Sequence, residues 1–319
     1  MSHMIVVTGG AGFIGSNLVH ALNGRGREDL LVVDQMDDVR KVANLATSCV
    51  ADYLDRDEFL TMIDQDHPDL GDVDLVLHQG ARTSTTDDDA RAVLEANFRY
   101  SKHVHRWCTS HRVPLIYASS AAVYGASLSS DEAGPPSALN VYAWSKQLFD
   151  EYVRRRGTTD SQVVGLRYFN VYGPREDHKG EMASMVAQMD QRCAAGAPIR
   201  LFGDGCGRPA GEHRRDFVHV DDVVRVVLWF AEHPEVSGLF NCATGESRSF
   251  NELAAEVMRF HGAGSVEYVP FPTALVGRYQ AETRADLTRL RAAGYDDPFT
   301  PIEAGVPTYL KWRRSQETQ

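Results

Sequence analysis

The sequence predicts an α/β protein, a doubly wound parallel sheet followed by a smaller, partly interleaved C-terminal α/β unit. Three observations carry the prediction. The apolar run Ile5-Val6-Val7 ends in a glycine cluster that opens a helical stretch. Strand-length apolar runs then alternate with amphipathic stretches as far as Leu166, the rhythm of helices covering both faces of a parallel sheet. After Gly173-Pro174 the elements shorten and turn residues become frequent.

Taken in order, Ile5 to Thr8 reads as a buried strand, Phe13 to about Asn23 as a helix, and Leu30 to Asp34 as the next strand, which together make one βαβ unit. Val73 to Leu77, Pro114 to Ala118 and Gln162 to Leu166 are further strands, separated by helices near Ala90 to His111 and Tyr142 to Arg156. In the C-terminal part a helix is expected near Met182 to Ala195 and a strand at Ile199 to Phe202. An irregular loop follows from Gly203 to Arg214, then helices at Asp221 to Ala231 and Phe250 to Phe260. The expected division is a first unit over 4–173, which also receives about 214–241, and a second over 174–319.

Composition excludes several classes. The 319 residues carry a formal charge of −11 with no basic stripe, which argues against a nucleic-acid partner. No apolar run reaches membrane-span length and no signal-like segment opens the chain, so no membrane association is expected. Met1-Ser2-His3 before Met4 reads as a cloning remnant. Five scattered cysteines without a C-x-x-C pair favour reduced thiols, a cytoplasmic setting and no metal site.

Gly10-x-Gly12-x-x-Gly15 sits between a strand and a helix, where glycines let the backbone approach a pyrophosphate held at the helix N-terminus. Asp34, 19 residues after Gly15, is placed to accept from a ribose hydroxyl. Alone it favours NAD. Arg40, Lys41 and Arg56 follow at the same corner and could neutralise a 2′-phosphate. The reading is therefore NADP, with NAD as the alternative.

Tyr142 and Lys146 are spaced i,i+4 on one helix face, and an ammonium beside a phenol is expected to lower its pKa toward neutrality. Ser120 ends a strand at the carboxyl edge of the sheet, where ligands bind. The order of glycine fingerprint, strand-end serine and Y-x-x-x-K specifies a hydride-transfer site more sharply than any one of them.

Through Thr8 to Gly15, Ser120-Ala121-Ala122-Val123-Tyr124-Gly125 and Tyr142-Ala143-Trp144-Ser145-Lys146, the chain resembles the extended short-chain dehydrogenase/reductase family, whose first domain is of Rossmann type. Within it the chain is most similar to the ADP-heptose 6-epimerase group. That likeness rests on Ser84-Thr85-Thr86, Leu139 to Tyr142, Arg167 to Glu176, His178-Lys179-Gly180, Arg215 to Val218, Pro270-Phe271-Pro272, Gly277 to Gln280 and Leu290 to Tyr295. The resemblance implies an isomerase that oxidises a carbinol carbon and returns the hydride to the opposite face. It implies Tyr142 and Lys179 as the two acid/base groups, with Ser120 holding the developing alkoxide.

For the cofactor it implies Gly9, Gly12, Phe13, Ile14 and Gly15 at the loop, and Asp34, Gln35, Lys41 and Arg56 at the ribose corner. Gln79, Ala81, Lys146 and Val171 complete that set. For an ADP-linked heptose it implies Ser120, Asn170, Glu181, Gln188, Phe202, Arg215 and Tyr279. Kinship also suggests a homo-oligomer.

The chain departs from the group at Gln79-Gly80-Ala81-Arg82-Thr83, Ala96-Asn97, Glu181, Gln188 and the Gly203 to Arg214 loop with Pro209 and His213. These changes leave the inverted carbon, C6 or C4, open. A dehydratase is set aside because Ala121 and Ala122 can move no proton. A nucleotide-sugar reductase would need no Lys179, and a non-catalytic NADP-binding regulator would need none of Ser120, Tyr142 and Lys146.

Overall fold

The computed structural model describes residues 4–83, 89–127, 130–134, 137–275 and 279–317. Ser84-Thr85-Thr86 and Gly277-Arg278, both used above, lie outside the described residues, as do Met1-Ser2-His3. The chain first builds β1 (Met4–Thr8), α1 (Phe13–Gly24), β2 (Leu30–Asp34), α2 (Arg40–Leu45), β3 (Asp52–Asp55) and α3 (Arg56–Asp64). It continues through β4 (Val73–His78), α4 (Ala90–Leu94), α5 (Tyr100–His111), β5 (Leu115–Ser120), α6 (Val141–Arg156) and β6 (Val163–Tyr168). Then come β7 (Asn170–Tyr172), α7 (Met185–Ala194), β8 (Ile199–Phe202), β9 (Arg214–His219), α8 (Val220–Glu232) and β10 (Gly238–Cys242). The last elements are β11 (Ser247–Ser249), α9 (Phe250–His261), β12 (Val266–Val269), α10 (Thr288–Ala292) and α11 (Ile302–Glu317).

Two compact units emerge. The first comprises 1–123, 140–167 and 224–240; the second comprises 124–139, 168–223 and 241–319. In the first, seven strands run in the order β10-β6-β5-β4-β1-β2-β3. The pairs β2–β3, β1–β2, β1–β4 and β4–β5 are all parallel. Every residue of β2 and β6 is buried, as expected of strands covered on both faces. The order reverses between β4 and β1, and the crevice beyond the carboxyl ends there is where such sheets bind ligands. Val6, Leu31, Val76 and Leu115 fill the core with Trp107 and Phe149 from the helices. A π-helical turn, Glu95–Arg99, joins α4 to α5.

The second unit holds a three-stranded sheet, β11-β9-β7, and a two-stranded sheet, β12-β8. Its core gathers Tyr172, Val186, Leu201, Phe217, Leu253 and Tyr309. Two segments group differently from the division read off the sequence. β9, expected with the first unit, pairs with β7 and β11, because the outer edge of β6 is already taken by β10. Residues 124–139 belong with the second unit, where the Asn241 side chain bonds Tyr124 and the Ser130 carbonyl and its amide donates to Glu132. Among the described residues no helix is long and apolar enough to cross a membrane.

Candidate active site

The glycine loop shows why glycine is needed. A Cβ on Gly15 would stand 2.1 Å from the Gly9 carbonyl oxygen, and Gly9 itself takes φ +65° with its Cα face against Gly80. α1 starts at Phe13 with Gly12 as its cap residue, no side chain capping it and no acid in its first turn. A bare helix N-terminus over a glycine cradle has the geometry and the dipole sign for a diphosphate, so these residues fit a dinucleotide.

Asp34 is the hub of the ribose corner. Its carboxylate accepts from the amides of Ala11 at 2.9 Å and Gln35 at 2.7 Å and from Lys41 Nζ at 3.2 Å. A pocket here is lined by Gly9, Asp34, Gln35, Lys41, Arg56 and Ala81, all expected from the sequence, together with Val33, Asp37, Gly80, Arg82, Ala96 and Tyr100. Arg40 is not among its walls and pairs instead with Asp38. Gln79 follows β4 directly, and its amide donates to the Thr8 carbonyl.

Behind the loop runs a buried polar chain that no sequence signal announced. Thr8 and His78 are register partners on β1 and β4. Gly80 N–H donates to Thr8 Oγ1 at 3.3 Å, and Thr8 Oγ1 lies 2.7 Å from His78 Nδ1. His78 Nε2 is 2.8 Å from Ser101 Oγ, whose own proton goes to the Asn97 carbonyl at 2.7 Å. Ser101 must therefore accept from Nε2–H, and Nδ1 must accept from Thr8. Burial, with the Lys146 charge adding to it, pushes His78 down to about 3, so the ring is neutral. Asn97, fully buried in the π-helical turn, clamps Arg82 through N–H and C=O and donates to Ser145 Oγ at 3.0 Å. Ser145 in turn donates to the Tyr142 carbonyl.

Ser120, Tyr142 and Lys146 are brought together at the carboxyl end of β5. Asn140 caps α6 through the Ala143 amide, which sets Tyr142 in the first turn and Lys146 one turn on. The Tyr142 hydroxyl is hydrogen-bonded to Ser120, which pulls its pKa down, yet burial outweighs this and holds it above the ordinary phenol value. The expected net lowering is not seen, since burial dominates; Lys146 Nζ donates to the Ala118 carbonyl at 2.8 Å. Burial carries the ammonium down to about 8 against the opposing charge of Asp150. Asp150 is itself buried, ion-paired to Arg167 at 3.0 Å, and accepts from Ser119 and Tyr117.

The second unit holds the remaining expected residues. Lys179 is half-buried; burial lowers its pKa, and Glu176 partly restores it. Glu176 is fully buried and accepts from Ser184 N–H and Oγ and from the Gly173 amide. Gln188 donates to the carbonyls of Glu181 and Ala183. Asn170 stands exposed at the start of β7, with Val171 next to it. Phe202, Arg215 and Tyr279 form one cluster. The Arg215 guanidinium lies 4.7 Å from the Tyr279 ring centroid and 5.8 Å from Phe250, and Phe202 packs edge-on to Tyr279 at 6.0 Å.

Arg215 is 8% exposed, and its hydrogen bond goes to the Arg214 carbonyl. Among the described residues no carboxylate pairs with it. Asp216, its chain neighbour, accepts instead from Thr244 and from the amides of Gly245 and Ala285. A buried, unanswered guanidinium between aromatic faces is a site for an anion.

Comparison with known proteins places the chain among nucleotide-sugar epimerases in sequence and fold. The sequence profile of the NAD dependent epimerase/dehydratase family matches residues 5–243. ADP-L-glycero-D-manno-heptose-6-epimerase of Alkalilimnicola ehrlichii is 52% identical over 309 residues, 96% of each chain. The crystal structure of the Helicobacter pylori ADP-L-glycero-D-manno-heptose-6-epimerase superposes with a TM-score of 0.85 at 29% identity, over 98% of this chain and 97% of that one. The Thermus thermophilus UDP-glucose 4-epimerase in complex with NAD gives 0.79 at 27% identity, over 98% and 99%.

Proposed function

The chain belongs to the NAD dependent epimerase/dehydratase family, and from that premise we propose that it is an isomerase inverting C6 of an ADP-linked heptose by transient oxidation. The observation that carries the chemistry is the Ser120–Tyr142–Lys146 group at the carboxyl edge of the sheet, next to a loop fitted to a dinucleotide. The substrate reading is supported by the 52% identical relative and by Arg215, a buried cation with no carboxylate partner among the described residues.

A nicotinamide cofactor, when bound, supplies the hydride acceptor and donor together with a positively charged ring that draws the nearby phenol toward ionisation. The glycine loop and α1 would hold its diphosphate, and Asp34 with Gln35 its adenosine ribose. NADP is the form we favour, because Lys41 and Arg56 both line the pocket beside Asp34 and Lys41 offsets that carboxylate. Tyr142 takes the hydroxyl proton of the carbinol as hydride leaves, and a proton is given to the ketone oxygen from the other side when hydride returns to the opposite face. Ser120, already the partner of Tyr142, holds the oxygen as charge develops. Lys146 keeps a positive charge beside the reacting oxygen at neutral pH. Lys179 is the second proton carrier, and its burial places its pKa closer to working pH than a surface lysine's. Arg215 grips the diphosphate, with Phe202 and Tyr279 lining the nucleoside end. We place the enzyme in the cytoplasm and expect a homo-oligomer, which sedimentation would measure.

The test is proton NMR of the product formed from ADP-D-glycero-D-manno-heptose in heavy water. Inversion confined to C6 without deuterium on carbon is expected, since direct hydride return exchanges nothing with solvent. Ring-coupling changes would move the reaction to C4, and deuterium on carbon would mean enolisation. Tyr142→Phe should lower kcat at least about a hundredfold with NADPH binding retained.

A further inference from the structure

The Gly203 to Arg214 loop, where this chain departs from the group it resembles, folds onto the aromatic cluster beside Arg215. Gly205 and Arg208 bond each other through both amides at 3.0 Å, and the two residues between them, Cys206 and Gly207, take φ +49° and +75°. This is the primed turn that a tight two-residue hairpin demands. The turn lies flat on Phe271: a Cβ on Gly205 would sit 2.5 Å from that ring. The Gly205 carbonyl then reaches His213, whose Nε2 is 2.9 Å away. A carbonyl only accepts, so Nε2 carries the proton and Nδ1 is left with a lone pair. Burial lowers the pKa of the ring, with the Arg215 and Arg208 charges adding to it and the Gly205 bond opposing it.

His213 is 1% exposed, stacked on Phe271 at 28° and edge-on to Tyr279 at 5.3 Å between centroids, the same ring that carries the Arg215 guanidinium. Phe202, Phe271 and Tyr279 meet one another at 70° to 80°, so none stacks face to face on another, and all three remain partly exposed. Partly open aromatic faces next to an anion-binding arginine suit a nucleotide base joined to a phosphate.

We infer that His213 reads the base, its Nδ1 accepting a hydrogen bond from the exocyclic amine of adenine and so selecting a 6-aminopurine nucleotide over a 6-oxopurine one. The inference rests on the proposal that Arg215 holds the diphosphate, and it assigns the nucleotide preference to a residue of the departing loop. A 6-oxo group would bring its own lone pairs against Nδ1, and the mismatch costs more than a lost bond.

The test is calorimetric binding of ADP and IDP to the NADPH-loaded full chain. Wild type should bind ADP about tenfold or more tightly than IDP, and His213→Phe, which keeps a ring and loses the acceptor, should bind the two within about threefold. Equal binding by wild type, or an undiminished preference in His213→Phe, would overturn the inference while leaving the diphosphate site standing. Failure of wild type to bind either nucleotide would overturn the Arg215 reading itself, and this inference with it. Purine riboside 5′-diphosphate needs no variant. It lacks the amine without adding an oxygen, and it should bind wild type several-fold more weakly than ADP; equal affinity would refute the role given to His213.

Discussion

His78 and Asn97 do more for the site than their silence in the sequence suggests. His78 is neutral, with both nitrogens committed, and it ties the first strand to the helix that carries Asn97. Its pKa of about 3 lies below the unfolded value near 6.5, so below that value the unfolded chain binds a proton that the folded one refuses. Stability is therefore complete above pH 6.5 and falls as pH drops toward 3. The expected loss from this residue between pH 7 and pH 5 is about 2 kcal/mol, read from urea melts. His78→Gln, which cannot titrate, should start lower at pH 7 and fall less steeply. What the sequence revealed at this scale was chemistry tied to spacing: Gly15 by its fingerprint, Asp34 by its distance from it, Tyr142 and Lys146 by the helical repeat. His78 was hidden, and Asn97 and His213 showed only as departures from the group, because their roles depend on neighbours far along the chain. The net direction of the Tyr142 shift was not legible, because spacing shows adjacency and not burial.

Among the elements, α9 shows how much local sequence can dictate. Ser249 accepts from the Glu252 amide while Glu252 accepts from the Ser249 amide, a reciprocal cap spelled by S-x-x-E before an apolar run. Ser249→Ala should cost about 1 kcal/mol and lower the melting temperature by a few degrees, whereas an equal or higher melting temperature would deny the cap its weight. The helix was legible from Phe250 onward, and so were α1, α6, α7 and α8 to within a few residues. Strands β3, β7, β9, β10, β11 and β12 were not. β3 reads Asp-Tyr-Leu-Asp and β11 Ser-Arg-Ser, with no apolar run, and they exist because a neighbour offers an open edge. The Cys206-Gly207 turn escaped for the opposite reason: glycines at 203, 205 and 207 allow many turns, and only contact with Phe271 selects one.

At the scale of the whole chain, the parallel sheet and its switch point followed from alternation alone, because crossover helices force that pattern on any such sheet. The extent of each unit did not, since which sheet β9 joins is decided by an edge that β10 fills. Cofactor preference is a global observable. A ligand bound to the folded form alone adds RT ln(1 + [L]/Kd), about 2.7 kcal/mol at a hundredfold excess over Kd. NADP+ should raise the melting temperature by several degrees and NAD+ at the same concentration by less; the reverse order would assign the corner to NAD. Arg215, enclosed without a carboxylate partner among the described residues, has a consequence for folding as well as for recognition. A buried guanidinium without a carboxylate partner costs stability in the protein without nucleotide, and an apolar side chain of similar length would relieve it. Arg215→Met should therefore melt higher than the parent without nucleotide, and gain little or nothing from added ADP. Such a result would mean that selection has kept a less robust enzyme for the sake of the molecule it waits to hold.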